Sequence, residues 1–184
     1  MNSVIIKPGN LQGIYDITLA PNTDHRGYFT RLYDVNIMKA HGLHRNWVQE
    51  NRSFSKQKGT IRGLHFQHEP HAETKLIWVS KGAILDVFVD VRQDSPTFGC
   101  YESRVLSEEN FAMVYISPGF AHGFCTLVDN CEVVYKVDNV YSPAHEGGIL
   151  WKDASLQIPW PVDQPIMSAK DQVLPTLDTL KRRD

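Results

Sequence analysis

Residues 59–67 read GTIRGLHFQ, so Arg62 and His65 stand three positions apart in a run otherwise made mostly of glycines and apolar residues. A surface loop has no need of Leu64 and Phe66, and a plain core strand has no need of a guanidinium and an imidazole. Histidine, with an ordinary pKa of about 6.5, is the side chain that can serve as a neutral base near pH 7. Downstream, residues 117–124, SPGFAHGF, hold His122 between small residues in a turn-rich stretch. Such loops commonly present functional groups, although a structural histidine suits the stretch as well. Lys75 opens KLIWVS in phase with Ile77 and Val79. Taken alone, it reads as a strand-edge lysine lying along apolar surface, with a fixed charge in a pocket as the alternative. Tyr135 in VVYKV is in phase with Val133 and Val137, which by itself indicates a core tyrosine whose hydroxyl finds a partner, a catalytic phenol being the other reading. In AILDVFVDV, Asp86, Phe88 and Asp90 share one strand face, and Leu85, Val87, Val89 and Val91 share the other. The aliphatic face reads as core and Asp90 as solvent-exposed, while Asp86, beside Phe88, is ambiguous.

His65, His68, His71 and Glu73 also cluster in sequence, with His122 downstream. Metal-binding cupin barrels use a His-x-His pair, a following Glu and a later His. Here Gln67 stands two positions after His65, which breaks the pair. A His-x-x-His spacing would send its two side chains to opposite faces of a strand. The expectation is therefore no metal site.

The elements that must position these groups read mostly as β. Runs at 75–80, 83–91 and 133–137 are rich in Val, Ile and aromatic residues. Turn residues separate them: Lys81-Gly82, Asp94-Ser95-Pro96, Ser117-Pro118-Gly119 and Asp129-Asn130. This spacing predicts antiparallel hairpins in a sandwich or barrel. Residues 35–41 predict a short helix with Asp34 as N-cap and Gly42 as its stop. A second helix is expected within VLPTLDTLKRR, residues 173–183, started or interrupted by Pro175. IPWPVDQP, residues 158–165, reads as an extended crossing segment, because too little chain follows it to fold alone. With 184 residues and no linker or repeat, the expectation is one domain over 1–184.

Composition narrows the partners. A formal net charge of −2 gives no global field for nucleic acid or acidic membranes, while leaving room for a local basic pocket. No apolar run approaches the roughly 20 residues of a membrane span, and MNSVIIKPGN does not look like a signal peptide. Cys100, Cys125 and Cys131 form no CxxC pair and suit reduced thiols in a cytoplasmic protein.

Taken together, the segments resemble the dTDP-4-dehydrorhamnose 3,5-epimerases, metal-independent enzymes on a cupin-like jelly-roll. The stretches that carry the resemblance are DHRGYF (24–29), WVQENRS (47–53), GTIRGLHFQ (59–67), TKLIWVSKGAILDVFVDVR (74–92), SPTFG (95–99), SPGFAHGF (117–124), VVYK (133–136), YSPAHEGGILW (141–151) and MSAKD (167–171). Their order and spacing span about Gly13 to Asp171.

The resemblance implies an epimerase of a nucleotide-linked 4-keto-6-deoxyhexose, with dTDP as the expected nucleotide and no cofactor. The C3 and C5 hydrogens are both α to the C4 ketone, so deprotonation to an enolate and reprotonation from the other face inverts each carbon. It implies that His65 is the base, Asp171 the carboxylate holding it, Lys75 the cation at the developing C4 oxyanion and Tyr135 the opposing acid. Arg26, Gln49, Asn51, Arg62, His122, Glu146 and Lys170 match substrate-contacting positions, the cations chiefly for the diphosphate. The family further implies a cytoplasmic homodimer in which N-terminal strands are exchanged. The chain departs from the family pattern at Arg31, Glu50 and Arg52, where Glu, Asp and His are usual. The rivals are a C3-only epimerase, a 3,4-ketoisomerase, a non-catalytic sugar-nucleotide-binding cupin and a metal-dependent cupin.

One geometric difficulty accompanies the resemblance. In a regular strand Arg62 and His65 face opposite ways, yet both are assigned to one pocket. Either a bulge near Gly63 shifts the phase, or the long arginine reaches around from a strand end.

Overall fold

The structure, a computed structural model, describes residues 4–180. Among these, thirteen strands account for nearly all regular structure. The first part of the chain forms β1 (Ile5–Pro8), β2 (Ile14–Thr18), β3 (Asn22–Asp24), β4 (Gly27–Phe29), helix α1 (Val35–Ala40) and β5 (Gln49–Ser55). β6 (Ile61–Gln67), β7 (Lys75–Lys81), β8 (Ala83–Asp90), β9 (Tyr101–Ser107) and β10 (Ala112–Ile116) follow. β11 (Phe120–Thr126), β12 (Cys131–Val137), β13 (Glu146–Gly148) and helix α2 (Leu177–Leu180) complete the set. One sheet has the order β1-β2-β10-β7-β12-β5, the other β13-β6-β11-β8-β9, and β3 pairs only with β4. The pairings in both sheets are antiparallel. This is the mainly β, cupin-like arrangement that the turn spacing and the resemblance predict.

The helices are as short as expected. The Asp34 carboxylate accepts from the amides of Asn36 at 2.9 Å and Ile37 at 3.3 Å, satisfying two of α1's free donors. Gly42 follows with φ +70°, the left-handed conformation that ends a helix cheaply only at glycine. The second helix is shorter than expected. Asp171–Val173 is a separate 3-10 turn, Leu174 before Pro175 is extended, and α2 begins only at Leu177. The expected continuation over 181–183 lies outside the described residues.

The two sheets enclose one core built from alternate residues, including Ile77, Val79, Phe88, Phe124 and Val133, with Tyr135 packed against it. The outer faces are covered too. Leu76, Trp78, Met113 and Tyr115 pack against Ile17, Leu19, Met38 and Leu43. Leu64, Phe66, Val87 and Val89 pack beneath Ile149, Leu156, Leu177 and Leu180 of the returning C-terminal chain. Strands covered on both sides leave little room for a solvent face, which corrects the exposed reading of Asp90: both Asp86 and Asp90 are 0% exposed.

Asp90 tolerates burial because its oxygens are saturated. Oδ1 accepts from the Arg92 amide at 3.0 Å and its Nε at 2.9 Å, and Oδ2 from Arg92 Nη2 at 2.7 Å, Ser95 Oγ at 2.6 Å and Thr97 Oγ1 at 2.6 Å. Burial is the strongest single influence and pushes its pKa up, but the hydrogen bonds from Arg92, Ser95 and Thr97 together outweigh it and bring it from 3.8 to about 2. A folded pKa below the unfolded one stabilises fully above about pH 4, and the contribution is lost as pH falls through about 2. It amounts to on the order of 2 kcal/mol. Asp90→Asn is therefore expected to melt below the wild type at pH 7, with the difference in Tm shrinking as the pH approaches 2. A pH-independent difference would show that the charge contributes nothing.

Candidate active site

The difficulty at Arg62 and His65 is resolved by a bulge. On β11, His122 lies opposite His65 and Phe124 opposite Arg62, so three steps along β6 match two along β11. The extra residue returns Arg62 to the face of His65. Gly63 has φ +115°, and a Cβ there would stand 2.6 Å from the His122 carbonyl oxygen. A Cβ on Gly123 would stand 2.7 Å from the Arg62 carbonyl oxygen, so both strands need glycine where they meet. The Gly63–Leu64 peptide bond is cis.

Between the sheets is a cavity of about 690 Å³, lined by all four residues expected to be catalytic: His65, Lys75, Tyr135 and Asp171. Arg62, Gln49, Asn51, His122 and Glu146 line it as well. His65, Arg62 and His122 project from the five-stranded sheet, whereas Gln49, Asn51, Lys75 and Tyr135 project from the six-stranded sheet. The imidazole and the phenol therefore stand on opposite walls.

His65 Nε2 lies 2.9 Å from Asp171 Oδ1. The other oxygen of Asp171 accepts the Gly63 amide at 3.2 Å, so one buried carboxylate fixes both the ring and the bulge that aims it. With Nε2 donating to Asp171, Nδ1 holds the basic lone pair. His122 forms a second such pair, its Nε2 2.6 Å from Asp86 Oδ1. Asp86, ambiguous from sequence, thus faces inward and orients a histidine.

Lys75 is 8% exposed, so neither an edge position nor snorkelling describes it. Its ammonium pairs with Glu73, which also lines the cavity. Tyr135 has its pKa raised, first by burial and then by the Glu73 carboxylate, against a smaller lowering by Arg62. The phenol is thus held in its proton-donating form. Arg62 is anchored through Ser55 Oγ at 3.2 Å and the Phe54 carbonyl at 3.0 Å. No carboxylate among the described residues pairs with it, which leaves its charge for an anion.

Two expected residues stand apart. Lys170 borders an adjoining hollow of about 450 Å³ and donates to Glu146 Oε2 at 2.6 Å, where the Tyr141 hydroxyl also donates. Arg26 lies on the β3–β4 hairpin, with its side chain 78% exposed and paired to Asp24, outside this chain's own cavity. Of the departures, Glu50 and Arg52 alternate with the cavity-lining Gln49, Asn51 and Ser53 and pair with Lys136 and Glu132 on the outer face. Arg31 pairs with Asp34 at 2.9 Å.

Several cavity residues were not singled out from sequence as substrate contacts. Ser53 is in phase with Asn51, a signal that alternation offers. Tyr141, Met167 and Ser168 come from irregular segments without periodicity. Gln67 and Glu73 drew notice only in connection with metal.

A family profile described as dTDP-4-dehydrorhamnose 3,5-epimerase matches residues 8–179. The chain is 47% identical over 149 residues to dTDP-4-dehydrorhamnose 3,5-epimerase of Shigella flexneri, covering 80% of this chain and 82% of that protein. Its structure is similar to that of the Bacillus anthracis enzyme of the same name with TDP and PPi bound, at TM-score 0.93, 46% identity and coverage of 95% of this chain and 99% of that one. It is also similar to the dTDP-6-deoxy-D-glucose-3,5-epimerase of Legionella pneumophila in complex with dTDP-4-keto-L-rhamnose, at TM-score 0.91 and 35% identity. That match covers 96% of this chain and 94% of the other.

Proposed function

The chain belongs to the dTDP-4-dehydrorhamnose 3,5-epimerase family and is an isomerase of the epimerase class; on that premise we propose how this cavity inverts C3 and C5 of a dTDP-linked 4-keto-6-deoxyhexose. The observation that carries the reading is a tethered histidine and a protonated tyrosine facing one cavity from opposite sheets. Inversion needs that placement, because the proton leaves one face of the sugar and returns to the other.

In the proposed reaction His65 Nδ1 takes the proton from C3 or C5, and the electron pair moves through the new C=C bond onto the C4 oxygen. Asp171 faces the imidazolium that results and stabilises it electrostatically. Lys75 faces the enolate oxygen, where a fixed cation acts on charge that builds only in the transition state. Tyr135 delivers a proton to the opposite face of the same carbon. The phenolate and imidazolium then return to their starting states by proton exchange with solvent. Arg62, unpaired by any described carboxylate, is assigned to the diphosphate, since its planar fork can bind two oxygens at once. Gln49, Asn51, His122 and Glu146 supply hydrogen bonds to the sugar and nucleotide. These groups provide base, acid and oxyanion partner, so the mechanism calls for no cofactor.

Arg26 fits the same reading through a dimer. The hairpin that carries it also exposes Tyr28 and Phe29, at 61% and 66%. An exchanged N-terminal segment would cover these rings and take Arg26 to the neighbouring site, and Lys170 would act from the rim of its own. Among the described residues no helix is long and apolar enough to cross a membrane. The free thiols Cys100, Cys125 and Cys131 suit the reducing cytoplasm, where we place the reaction.

Incubation of dTDP-4-keto-6-deoxyglucose with the protein in D₂O tests the assignment. Deuterium is expected at both C3 and C5, read by NMR. Label at C3 alone would identify a C3-only epimerase, and a displaced carbonyl would identify a ketoisomerase. Tight binding without exchange at either carbon would leave a sugar-nucleotide-binding protein.

A further inference from the structure

Glu73 has no part in the mechanism so far, yet both oxygens of its carboxylate are engaged within the cavity wall. Its side chain is 12% exposed. One carboxylate oxygen accepts from the Lys75 ammonium, and the other accepts from Gln67 Nε2 at 3.1 Å. Gln67 is itself buried and fixed: Nε2 also lies 2.9 Å from the His71 carbonyl and 3.2 Å from that of Val140, and Oε1 accepts the Ser142 amide at 2.7 Å. Between Glu73 and Lys75, the Thr74 amide donates to Asp138 Oδ1 at 2.6 Å. The side chains of Glu73 and Lys75 and the amide between them are thus tied down, and the lysine's flexible stem ends at a defined point.

An ammonium has three donors. Glu73 engages one, leaving the others for a group inside the cavity. The same carboxylate bears on Tyr135. The charged or titratable groups that line the cavity with that phenol are Glu73, Lys75 on β7, Arg62 and His65 on β6, His122 on β11, Glu146 on β13, and Tyr141 and Asp171 from outside the strands. Glu132 and Lys136 on the phenol's own strand β12, and Glu50 on the adjacent β5, are paired on the outer face.

We propose that Glu73, held by Gln67, is a positioning residue for the reaction, fixing Lys75 where the C4 oxyanion forms and setting the charge that Tyr135 faces. The inference rests on the epimerase reading above. It is distinct from a purely structural ion pair because it ties Glu73 to kcat and to the protonation of the acid.

Glu73→Gln preserves shape and removes the charge. Loss of a charge-assisted bond predicts a fall in kcat of about 10-fold or more, with KM changed less than about threefold. One of the two influences that keep the Tyr135 proton in place is also removed, so the basic limb of the kcat profile moves to lower pH. Below the basic limb, where Tyr135 keeps its proton and Glu73 acts through Lys75, the same substitution in a Lys75→Met background is expected to change the residual solvent-exchange rate by less than about twofold. An unchanged kcat with an unmoved basic limb overturns the inference, and so does a full, undiminished effect in the Lys75→Met background. If Glu73→Gln does not fold, Glu73→Asp carries the test: charge is kept and reach is shortened. Its kcat is expected to fall by about threefold or more with the basic limb in place, and an unchanged kcat overturns the inference. Wild-type exchange in D₂O is measured first. Its absence would defeat the epimerase reading itself, whereas exchange in the wild type with an inert Glu73→Gln would defeat only the role of Glu73.

Discussion

His65→Ala is expected to lower kcat by about 10²–10⁴-fold, the usual worth of a positioned general base. Exchange at C3 and at C5 should fall together, because the proposed mechanism has one imidazole serve both carbons. The Asp171 Oδ1 contact with Nε2 at 2.9 Å selects Nδ1 as the basic nitrogen. The Gly63 bulge then turns the ring into the cavity. Removing the ring leaves the 5%-exposed Asp171 carboxylate with the Gly63 amide but without its histidine, so some loss of Tm accompanies the loss of rate. Binding of dTDP separates the two effects: affinity near that of the wild type with kcat collapsed assigns His65 to the chemistry. Near-wild-type turnover would remove His65 from the role of base.

Lys75→Met is expected to reduce kcat by about 10²–10³-fold, comparable with removal of a preorganised oxyanion donor. The effect should fall on kcat and leave KM nearly unchanged, because the ammonium meets full negative charge only after C–H cleavage. A variant altered only in KM would make Lys75 a substrate-binding group instead. Loss of the cation also leaves Glu73 in the cavity wall without its counter-charge, and a partly buried, unpaired carboxylate destabilises the fold. The doublet Lys75→Met with Glu73→Gln removes both charges. It should recover Tm without recovering kcat, which isolates the catalytic loss from the structural one.

Much of this architecture was legible in the chain. The strands at 75–80, 83–91 and 133–137 form within a residue or two of their expected ends, because alternation and turn residues are local signals. The Asp34 cap and the Gly42 stop are local in the same way. The parity conflict between Arg62 and His65 left two resolutions, a bulge near Gly63 or an arginine reaching around from a strand end, and the register does shift beside Gly63. Other features were misread because they depend on what covers a strand. Asp90 alternates like a solvent-facing acid, but the C-terminal chain closes over one side of β8 and the core fills the other. Lys75 shares the phase of a snorkelling residue, and only the nearby Glu73 makes a buried ammonium tolerable.

The sequence by itself determined which side chains share a strand face, because that follows from a backbone period of two residues. It also carried, through resemblance, the residues we propose as base, acid and cation. Only the tertiary structure decided which faces enclose a common space. His65 and Asp171 are 106 positions apart, and His122 and Asp86 are 36 apart. Glu73 changes from a stray metal-ligand candidate into the partner of Lys75 once Gln67 closes upon it. Such contacts arise from closing two sheets over one cavity, and no local propensity encodes the distance across it.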